Sequence, residues 1–318
     1  MLTVIVPASS ANIGSGFDSF GVALSLYNKY QLFGLLPPKR YDIDTVGEGG
    51  KGLASPESNL LIRSYEAAMK RFDVPLVGLK LRSYNAIPLA RGLGSSASAV
   101  VGGVMLANVI GKINLPKEKL LPIMVELEGH PDNVVPSCIG GFVISSWDGK
   151  DVKFVQLPPF REKVKVVVAV PDVTVDTKQA REVLPQNVSL QDAVFNLSRA
   201  ALFAASWMTG KLENLPWAME DKLHQPYRAK LFPGGDEILE RVKSAPGCLG
   251  AAISGSGPSV LAFVRGNPTR TAKEMCSVFT EKGLRSRFFV LDVDQEGARI
   301  KTSETNISME ADKCPALS

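Results

Sequence analysis

A glycine turn that runs directly into an apolar segment is the strongest constraint in this sequence. Gly92 and Gly94 are one residue apart, Ser95 and Ser96 follow, and residues 97–110 are small or apolar, as in a buried helix. Glycines permit a tight turn and close approach of a ligand. The start of a helix adds N–H groups without partners and the positive end of the helix dipole. The pattern therefore predicts a site for an anion such as phosphate.

Two familiar nucleotide-binding patterns do not match this turn. The turn at Gly92 and Gly94 matches neither G-x-x-x-x-G-K-[ST] nor G-x-G-x-x-G, since one residue separates the glycines and no lysine follows them. The serines can cap the helix, hold a phosphate oxygen or bind a hard cation such as Mg²⁺. The alternative is an ordinary serine-capped helix after a glycine turn.

Length and composition narrow the class of protein. A chain of 318 residues can form two domains with a real core. The net charge of +4 is small and the basic residues are scattered, so we expect neither a nucleic-acid nor a membrane partner. Residues 1–7 lack a basic start, no run of about 18 apolar residues occurs, and the four cysteines are far apart. We therefore expect a cytoplasmic protein with reduced thiols and no structural zinc.

Hydrophobic patterning predicts mixed strands and helices, with a domain boundary at the proline-rich and charged stretch 158–163. Strands are predicted over residues 2–6, 22–33, 41–46, 77–82, 140–146, 152–157, 164–170 and 287–293. Helices are predicted over residues 60–72, 97–110, 116–127, 174–181, 190–208, 217–224, 237–243 and 271–282. A glycine–serine loop from residue 250 leads into a strand that ends at residue 264, and the composition turns polar after residue 299, as in a weakly packed tail.

Three further stretches concentrate polar groups. Residues 7–21 form a loop of small residues with two strong polar groups, Asn12 and Asp18. Residues 126–133 combine two carboxylates, a histidine and an Asp–Asn pair, and residues 221–228 form another polar cluster. An Asx-turn with a helix cap would explain the first stretch equally well, and a solvated helix end would explain the two glutamates.

Three stretches in fixed order resemble the signature motifs of the GHMP kinase superfamily, namely residues 7–21, 88–98 and 250–259. The first stretch resembles the homoserine kinase family rather than the galactokinase or mevalonate kinase families. Its sequence is Pro-Ala-Ser-Ser-Ala-Asn-Ile-Gly-Ser-Gly-Phe-Asp-Ser-Phe-Gly. Residues 128–134 and 224–228 and the pair Thr177 and Arg181 are also similar to that family. The resemblance covers about residues 1–300.

The resemblance implies an α+β protein with the two-domain GHMP kinase fold. Residues 1–160 would form an N-terminal domain like domain 2 of ribosomal protein S5, residues 161–300 a ferredoxin-like C-terminal domain, and residues 301–318 a tail. It implies transfer of a phosphoryl group from ATP, with Mg²⁺, to the side-chain hydroxyl of L-homoserine in threonine biosynthesis. It also suggests a homodimer.

The resemblance also implies the site residues. Residues 92–97 would be the phosphate loop, and the full set of ATP-binding residues would be Asn59, Pro88, Leu89, Ala90, Arg91, Gly92, Leu93, Gly94, Ser95, Ser96, Ala97 and Ser98. Mg²⁺ would bind Ser96 and Glu128, with Glu126 a rival because some family members have a longer loop after the metal carboxylate. The acceptor residues would be Asn12, Asp18, His130, Asn133, Thr177, Arg181 and Arg228, with Asp18, Asn133 and Arg181 catalytic.

These residue types suit an amino-acid acceptor. Arg181 and Arg228 can bind a carboxylate in bidentate fashion, although an exposed arginine often only solvates a helix. Asp18 can bind an ammonium group, and His130 suits an orienting role better than that of a base. Phosphoryl transfer depends mainly on positioning and charge neutralisation. No obvious general base is present apart from Asp18 as a weak candidate.

Two other functions fit parts of the pattern. A related kinase acting on mevalonate would leave Asp18 without an ammonium partner. A silent binding protein on the same fold would have no need of Ser96 together with a nearby carboxylate and both arginines.

Overall fold

Two β-sheets organise the protein, for which a computed structural model describes residues 1–50 and 58–302. The strands are β1 (Leu2–Ala11), β2 (Phe20–Leu36), β3 (Tyr41–Gly47), β4 (Gly78–Asn85), β5 (Phe142–Trp147), β6 (Val152–Leu157), β7 (Val164–Pro171), β8 (Cys248–Ile253), β9 (Val260–Arg265), β10 (Ser286–Leu291) and β11 (Arg299–Thr302). In the described residues the larger sheet runs β11-β1-β2-β4-β3, with β5 joining β2 to β6. The smaller sheet runs β10-β7-β9-β8 and is antiparallel throughout, which is the ferredoxin-like order.

The helices divide between the two sheets. They are α1 (Leu60–Arg71), α2 (Ser95–Ile110), α3 (Lys117–Glu128), α4 (Pro131–Ile139), α5 (Thr177–Glu182), α6 (Leu190–Thr209), α7 (Leu215–Ala218), α8 (Gln225–Arg228), α9 (Gly235–Lys243) and α10 (Pro268–Glu281). Helices α1 to α4 share one hydrophobic core with the larger sheet, and α9 and α10 share another with the smaller sheet. The predicted α+β architecture is therefore confirmed. Across the described ranges, every helix is too short or too polar to cross a bilayer.

A buried aromatic cluster joins the two sheets. Phe20 and Phe142 of the larger sheet pack against Phe203 and Trp207 of α6, and Trp207 contacts Phe263 of the smaller sheet. The Phe142 and Trp207 ring centroids are 4.4 Å apart. Because these rings belong to both halves of the chain, burial of one cluster fixes how the halves meet.

Two strands of the larger sheet, β1 and β11, differ from the sequence prediction. The first strand does not stop at Pro7 but continues to Ala11, because a bulge between Pro7 and Ala8 shifts the register and accommodates the missing proline N–H. Residues 299–302, which include the first two of the predicted tail, form β11 and pair with β1. Residues 303–318 lie outside the described ranges.

The helix predicted over residues 217–224 is wrong. Helix α7 ends at Ala218, and α8 begins only at Gln225. Between them the Asp221 carboxylate accepts hydrogen bonds from the backbone N–H groups of Leu223, His224 and Gln225. A side chain that captures these donors replaces the bonds of a continuous helix.

Two other predicted boundaries are wrong. Helix α5 starts at Thr177 rather than at residue 174, because Asp176 caps its first turn. The glycine–serine stretch from residue 250 begins inside strand β8 rather than in a loop. Gly250 suits this strand because its φ angle of 142° is one that other residues rarely adopt, and a Cβ there would lie 2.4 Å from the Met219 sulfur.

The aromatic cluster gives a stability prediction. Replacing Phe203, which is fully buried, with alanine should lower the free energy of unfolding by about 3–5 kcal/mol, because it removes a large side chain and leaves a cavity. Leu197→Ala on the same helix is the matched control, since Leu197 is 71% exposed and its loss should change stability by less than about 0.5 kcal/mol. Urea titration followed by circular dichroism measures both. Equal destabilisation by the two variants would contradict the role given to the cluster.

Candidate active site

The glycine turn before α2 adopts a backbone that ordinary residues avoid. Gly92 and Gly94 have φ angles of 73° and 67°, in the left-handed region that favours glycine. A Cβ on Gly94 would lie 2.1 Å from the Ser9 hydroxyl oxygen, and one on Gly92 would lie 2.0 Å from the Ser254 carbonyl oxygen. Gly94 caps α2 without a side-chain hydrogen bond. The first-turn N–H groups of α2 are therefore available to an anion, as the sequence predicts.

The three signature stretches meet at this turn. The N–H of Ser9 donates to the Leu93 carbonyl at 3.2 Å. The Ser254 hydroxyl lies 2.6 Å from the Gly92 carbonyl and 2.7 Å from the Ser10 hydroxyl. The Asn12 side-chain amide donates to the Gly255 carbonyl at 3.1 Å. Segments more than 240 residues apart in sequence thus form one continuous wall.

One cleft contains most of the predicted site. All seven predicted acceptor residues line it, together with Pro88, the run from Ala90 to Ser96, and Glu128. Leu89, Ala97, Ser98 and Asn59 do not line it. Ala97 and Ser98 are fully buried, and the Ser98 hydroxyl pairs with the Tyr30 hydroxyl at 3.2 Å.

Asn59 and Arg91, two further predicted ATP-binding residues, also have structural hydrogen bonds. Asn59 caps α1 by accepting hydrogen bonds from the N–H groups of Leu61 and Ile62. Arg91 directs its guanidinium toward β7, where Nε donates to the Pro171 carbonyl at 3.0 Å. Arg91 therefore links the phosphate loop to the C-terminal sheet.

Acidic groups and a histidine surround the start of α2. The Ser96 hydroxyl donates to Glu128 Oε2 at 2.8 Å. His130 lies between Glu128 and Asp132, with Nδ1 2.6 Å from Asp132 Oδ1 and Nε2 4.0 Å from Glu128 Oε1. Burial raises the pKa of Glu128. Burial lowers the pKa of His130, but the hydrogen bond and negative charge of Asp132 outweigh this and leave its pKa raised.

The pair of Ser96 and Glu128 fits Mg²⁺. This ion takes hard oxygen ligands and keeps several waters, so one hydroxyl and one carboxylate are a sufficient protein contribution beside phosphate oxygens. In the parts of the chain that are described, no group of three or more His, Cys, Asp or Glu side chains forms a self-sufficient metal cage. Glu126 is exposed and does not line the cleft, which favours Glu128 over its rival.

Asp18, Arg181 and Arg228 bring opposite charges to the lining of the same cleft. Arg181 of α5 makes a two-pronged ion pair with Asp18, with nitrogen–oxygen distances of 2.8 and 2.9 Å. Arg228 is only 2% exposed and donates to the carbonyls of Ala180 and Gly255. Burial and, after it, the positive charge of Arg181 together lower the pKa of Arg228 to about 10. The lining of the cleft thus brings Asp18 together with two arginines.

Three cleft residues were missed by the sequence reasoning. Asp132 lies beside His130, and Gly255 and Ser256 belong to the third signature stretch. The resemblance of residues 250–259 to a family motif was a signal for the last two, but it carried no role for individual residues. Asp132 is adjacent to Asn133, and the local sequence contains no signal that distinguishes a role for Asp132 from that of Asn133.

Comparison with known proteins decides the family. The sequence matches the GHMP kinases N terminal domain over residues 59–141 and the GHMP kinases C terminal domain over residues 208–281. It is 43% identical over 265 residues to a homoserine kinase of Carboxydothermus hydrogenoformans, covering 83% of this chain and 86% of that one. The chain belongs to the homoserine kinase family of the GHMP kinases.

Other members of the homoserine kinase family show how far the likeness extends. The homoserine kinase of Halothermothrix orenii is 39% identical, with 97% of this chain and 99% of that one covered. The crystal structure of homoserine kinase from Cytophaga hutchinsonii superposes with a TM-score of 0.84 at 29% identity, covering 94% of this chain and 97% of that one. The expected family and fold are both confirmed.

The two histidines of the chain should affect stability with opposite signs. His224 is fully buried, and burial lowers its pKa. The contribution of His224 to the free energy of unfolding is therefore complete above its unfolded-state pKa of about 6.5 and is lost as the pH falls. The raised pKa of His130 gives the reverse, a contribution that is complete below about pH 6.5 and is lost as the pH rises through the folded value.

Urea unfolding at pH 5 and pH 7 separates the two contributions. Relative to the parent, His224→Gln should make the loss of stability on acidification smaller, whereas His130→Gln should make it larger. Each variant serves as the control for the other. A change in the same direction for both would contradict this assignment of charge states.

Proposed function

We propose that this protein is a homoserine kinase, which transfers the γ-phosphoryl group of ATP to the side-chain hydroxyl of L-homoserine. The observation that carries the proposal is the ion pair of Asp18 and Arg181, which lies in the same cleft as the phosphate loop. An amino acid presents an ammonium and a carboxylate to just such a pair. The family membership of the chain supports the same acceptor.

When the acceptor binds, the ion pair between Asp18 and Arg181 is replaced by two ion pairs between the protein and the acceptor. The ammonium group takes Asp18, and the carboxylate takes Arg181 in the bidentate geometry that guanidinium favours. Arg228 is already fixed by two carbonyls and supplies a second positive charge for the carboxylate. Thr177 and Asn12 complete the wall on either side.

The phosphate loop supplies the donor half of the site. Backbone N–H groups at the start of α2 and the positive end of its dipole hold the phosphates of ATP. Ser96 and Glu128 would hold Mg²⁺, which neutralises negative charge on the phosphate oxygens when bound. Asn59 and the head of α1 are proposed to lie near the adenine base.

No side chain is needed to remove the hydroxyl proton before transfer. His130 is held by Asp132 with a raised pKa, which favours an orienting role over that of a base. Asn133 accepts a hydrogen bond from Ser9 through Oδ1, which leaves its Nδ2 to donate to the acceptor or to a phosphate oxygen. Catalysis then rests on orientation and charge neutralisation, as in phosphoryl transfer generally.

Mevalonate is the strongest alternative acceptor, because solved mevalonate kinases share the fold at 14–15% identity. Mevalonate carries a carboxylate and no ammonium, so Asp18 would remain paired with Arg181. ADP release measured with each alcohol in parallel tests the proposal. We expect turnover with L-homoserine and none with mevalonate, and the reverse would overturn the proposal.

Substitutions should separate the acceptor half of the site from the donor half. Arg228→Ala and Asn133→Ala should raise the KM for homoserine by roughly ten-fold or more, because each removes a hydrogen bond worth about 1.4 kcal/mol or more when the partner is charged. Ser96→Ala should mainly lower kcat and alter the KM for ATP. Steady-state kinetics with each substrate varied in turn provides the measurement. Equal effects on both KM values in all three variants would contradict the division.

The choice between the two glutamates is testable with a matched pair. Glu128→Gln removes the carboxylate next to Ser96 and should lower kcat by roughly 100-fold or more, the scale of a lost transition-state interaction of about 3 kcal/mol. Glu126→Gln makes the same change on an exposed side chain and should leave kcat within about two-fold. Normal activity in Glu128→Gln with loss in Glu126→Gln would move the proposed metal ligand to Glu126.

A further inference from the structure

Phe17 contacts both arginines of the cleft although it does not line the cleft itself. The guanidinium carbon of Arg228 lies 5.2 Å from the centroid of the Phe17 ring, and that of Arg181 lies 5.9 Å from it. The imidazole of His224 stacks on the same ring, with centroids 5.4 Å apart and planes 27° apart. One phenyl ring therefore has contacts with a neutral ring and with two cations.

Two cations that converge on one small cleft need compensation. The positive charge of Arg181 lowers the pKa of Arg228 below the value that burial alone would give. Asp18 compensates Arg181 only until an ammonium group takes that carboxylate. The negative face of an aromatic ring attracts a guanidinium at these distances and needs no counter-ion. Phe17 can thus hold the arginines in place in both the free and the occupied cleft.

His224 fixes the position of the Phe17 ring. Its Nε2 lies 2.8 Å from the Gly14 carbonyl, so Nε2 carries the proton and Nδ1 is bare. Nδ1 is buried without a hydrogen-bond partner among the described residues. Asp221 accepts the backbone N–H of His224 at 2.9 Å and anchors the other end of this histidine. The ring that supports Phe17 is therefore neutral, and His224 is held both by its ring and by its backbone.

The loop that carries Phe17 also depends on the C-terminal half of the chain. Asp18, next to Phe17, has a φ angle of 52°, which is uncommon for residues other than glycine. The Ser15 hydroxyl donates to the Ala218 carbonyl at 2.7 Å, and the Asn196 amide donates to the Ser15 carbonyl at 3.3 Å. These contacts hold the loop against α6 and α7, so the ring is fixed relative to both arginines.

We propose that Phe17 is a positioning residue for the acceptor, an aromatic plate that aligns Arg181 and Arg228 with the carboxylate of an amino acid. The proposal rests on the proposed function and adds a residue to which no role in the acceptor site was given by the sequence. It assigns to Phe17 an effect on acceptor affinity and none on the binding of ATP.

Kinetics of three variants tests the proposal. Phe17→Leu keeps the apolar bulk and removes the aromatic face, so the KM for L-homoserine should rise roughly ten-fold while the KM for ATP and kcat stay within about two-fold. Phe17→Tyr keeps the aromatic face and should restore the parent KM. Phe33→Leu is the matched control, because Phe33 has a comparable contact of 5.8 Å with Arg82 outside the cleft, and it should change neither KM.

A double-mutant cycle separates alignment of the arginines from a general effect on the loop. Arg228→Lys keeps the charge and removes the planar guanidinium. In that background Phe17→Leu should raise the homoserine KM by a smaller factor than in the parent, because part of its partner is already absent. The same factor in both backgrounds, or equal changes in both KM values for Phe17→Leu, would overturn the proposal.

The same data distinguish this proposal from the proposed function. A parent enzyme that phosphorylates L-homoserine, with a Phe17→Leu variant of unchanged KM, would overturn the role of Phe17 and leave the function in place. A parent enzyme that releases no ADP with L-homoserine would overturn the function and, with it, the role of Phe17.

Discussion

The contact between the glycine turn and its two neighbouring loops is the constraint on which the site depends. Gly92 and Gly94 lie so close to Ser254 and Ser9 that neither position has space for a Cβ. The Ser254 hydroxyl joins two of these loops through Gly92 and Ser10. The aromatic cluster around Phe203 and Trp207 holds the two sheets in the relative position that this contact needs. The donor site is therefore built by both halves of the chain.

The charged side chains of the cleft form two groups that suit different ligands. Near the predicted phosphate loop a hydroxyl and a carboxylate suit a hard cation, and elsewhere in the cleft an aspartate and two arginines suit a zwitterion. Arg181 connects these regions electrostatically, because its positive charge partly opposes the raised pKa of His130 and adds to the burial that lowers the pKa of Arg228. In the proposed acceptor site Asp18 and Arg181 pair with each other, and an amino acid would offer replacement partners for both charges. An acceptor that lacked its ammonium group would leave Asp18 without a new partner, and one that lacked its carboxylate would leave the arginines without one.

The sequence predicted more of the donor site than of its surroundings. The glycine spacing and the small-residue helix were enough to predict an anion site, because backbone conformation and the helix dipole are local properties. The acceptor residues came from family resemblance, since Asp18 and Arg181 are 163 positions apart and no local pattern pairs them. The continuous helix predicted over residues 217–224 is replaced by hydrogen bonds to the Asp221 side chain, which hydrophobic periodicity does not reveal. The contacts of Phe17 likewise depend on tertiary structure alone.

The central claim is that the cleft recognises the acceptor as a zwitterion beside the phosphate loop. The most direct test is kcat/KM for three alcohols of similar length: L-homoserine, 4-hydroxybutanoate without the ammonium, and 3-aminopropan-1-ol without the carboxylate. Loss of either group leaves a charged side chain without its partner, so we predict a fall of roughly 100-fold or more for both analogues. Turnover of 4-hydroxybutanoate as fast as that of L-homoserine would contradict the account.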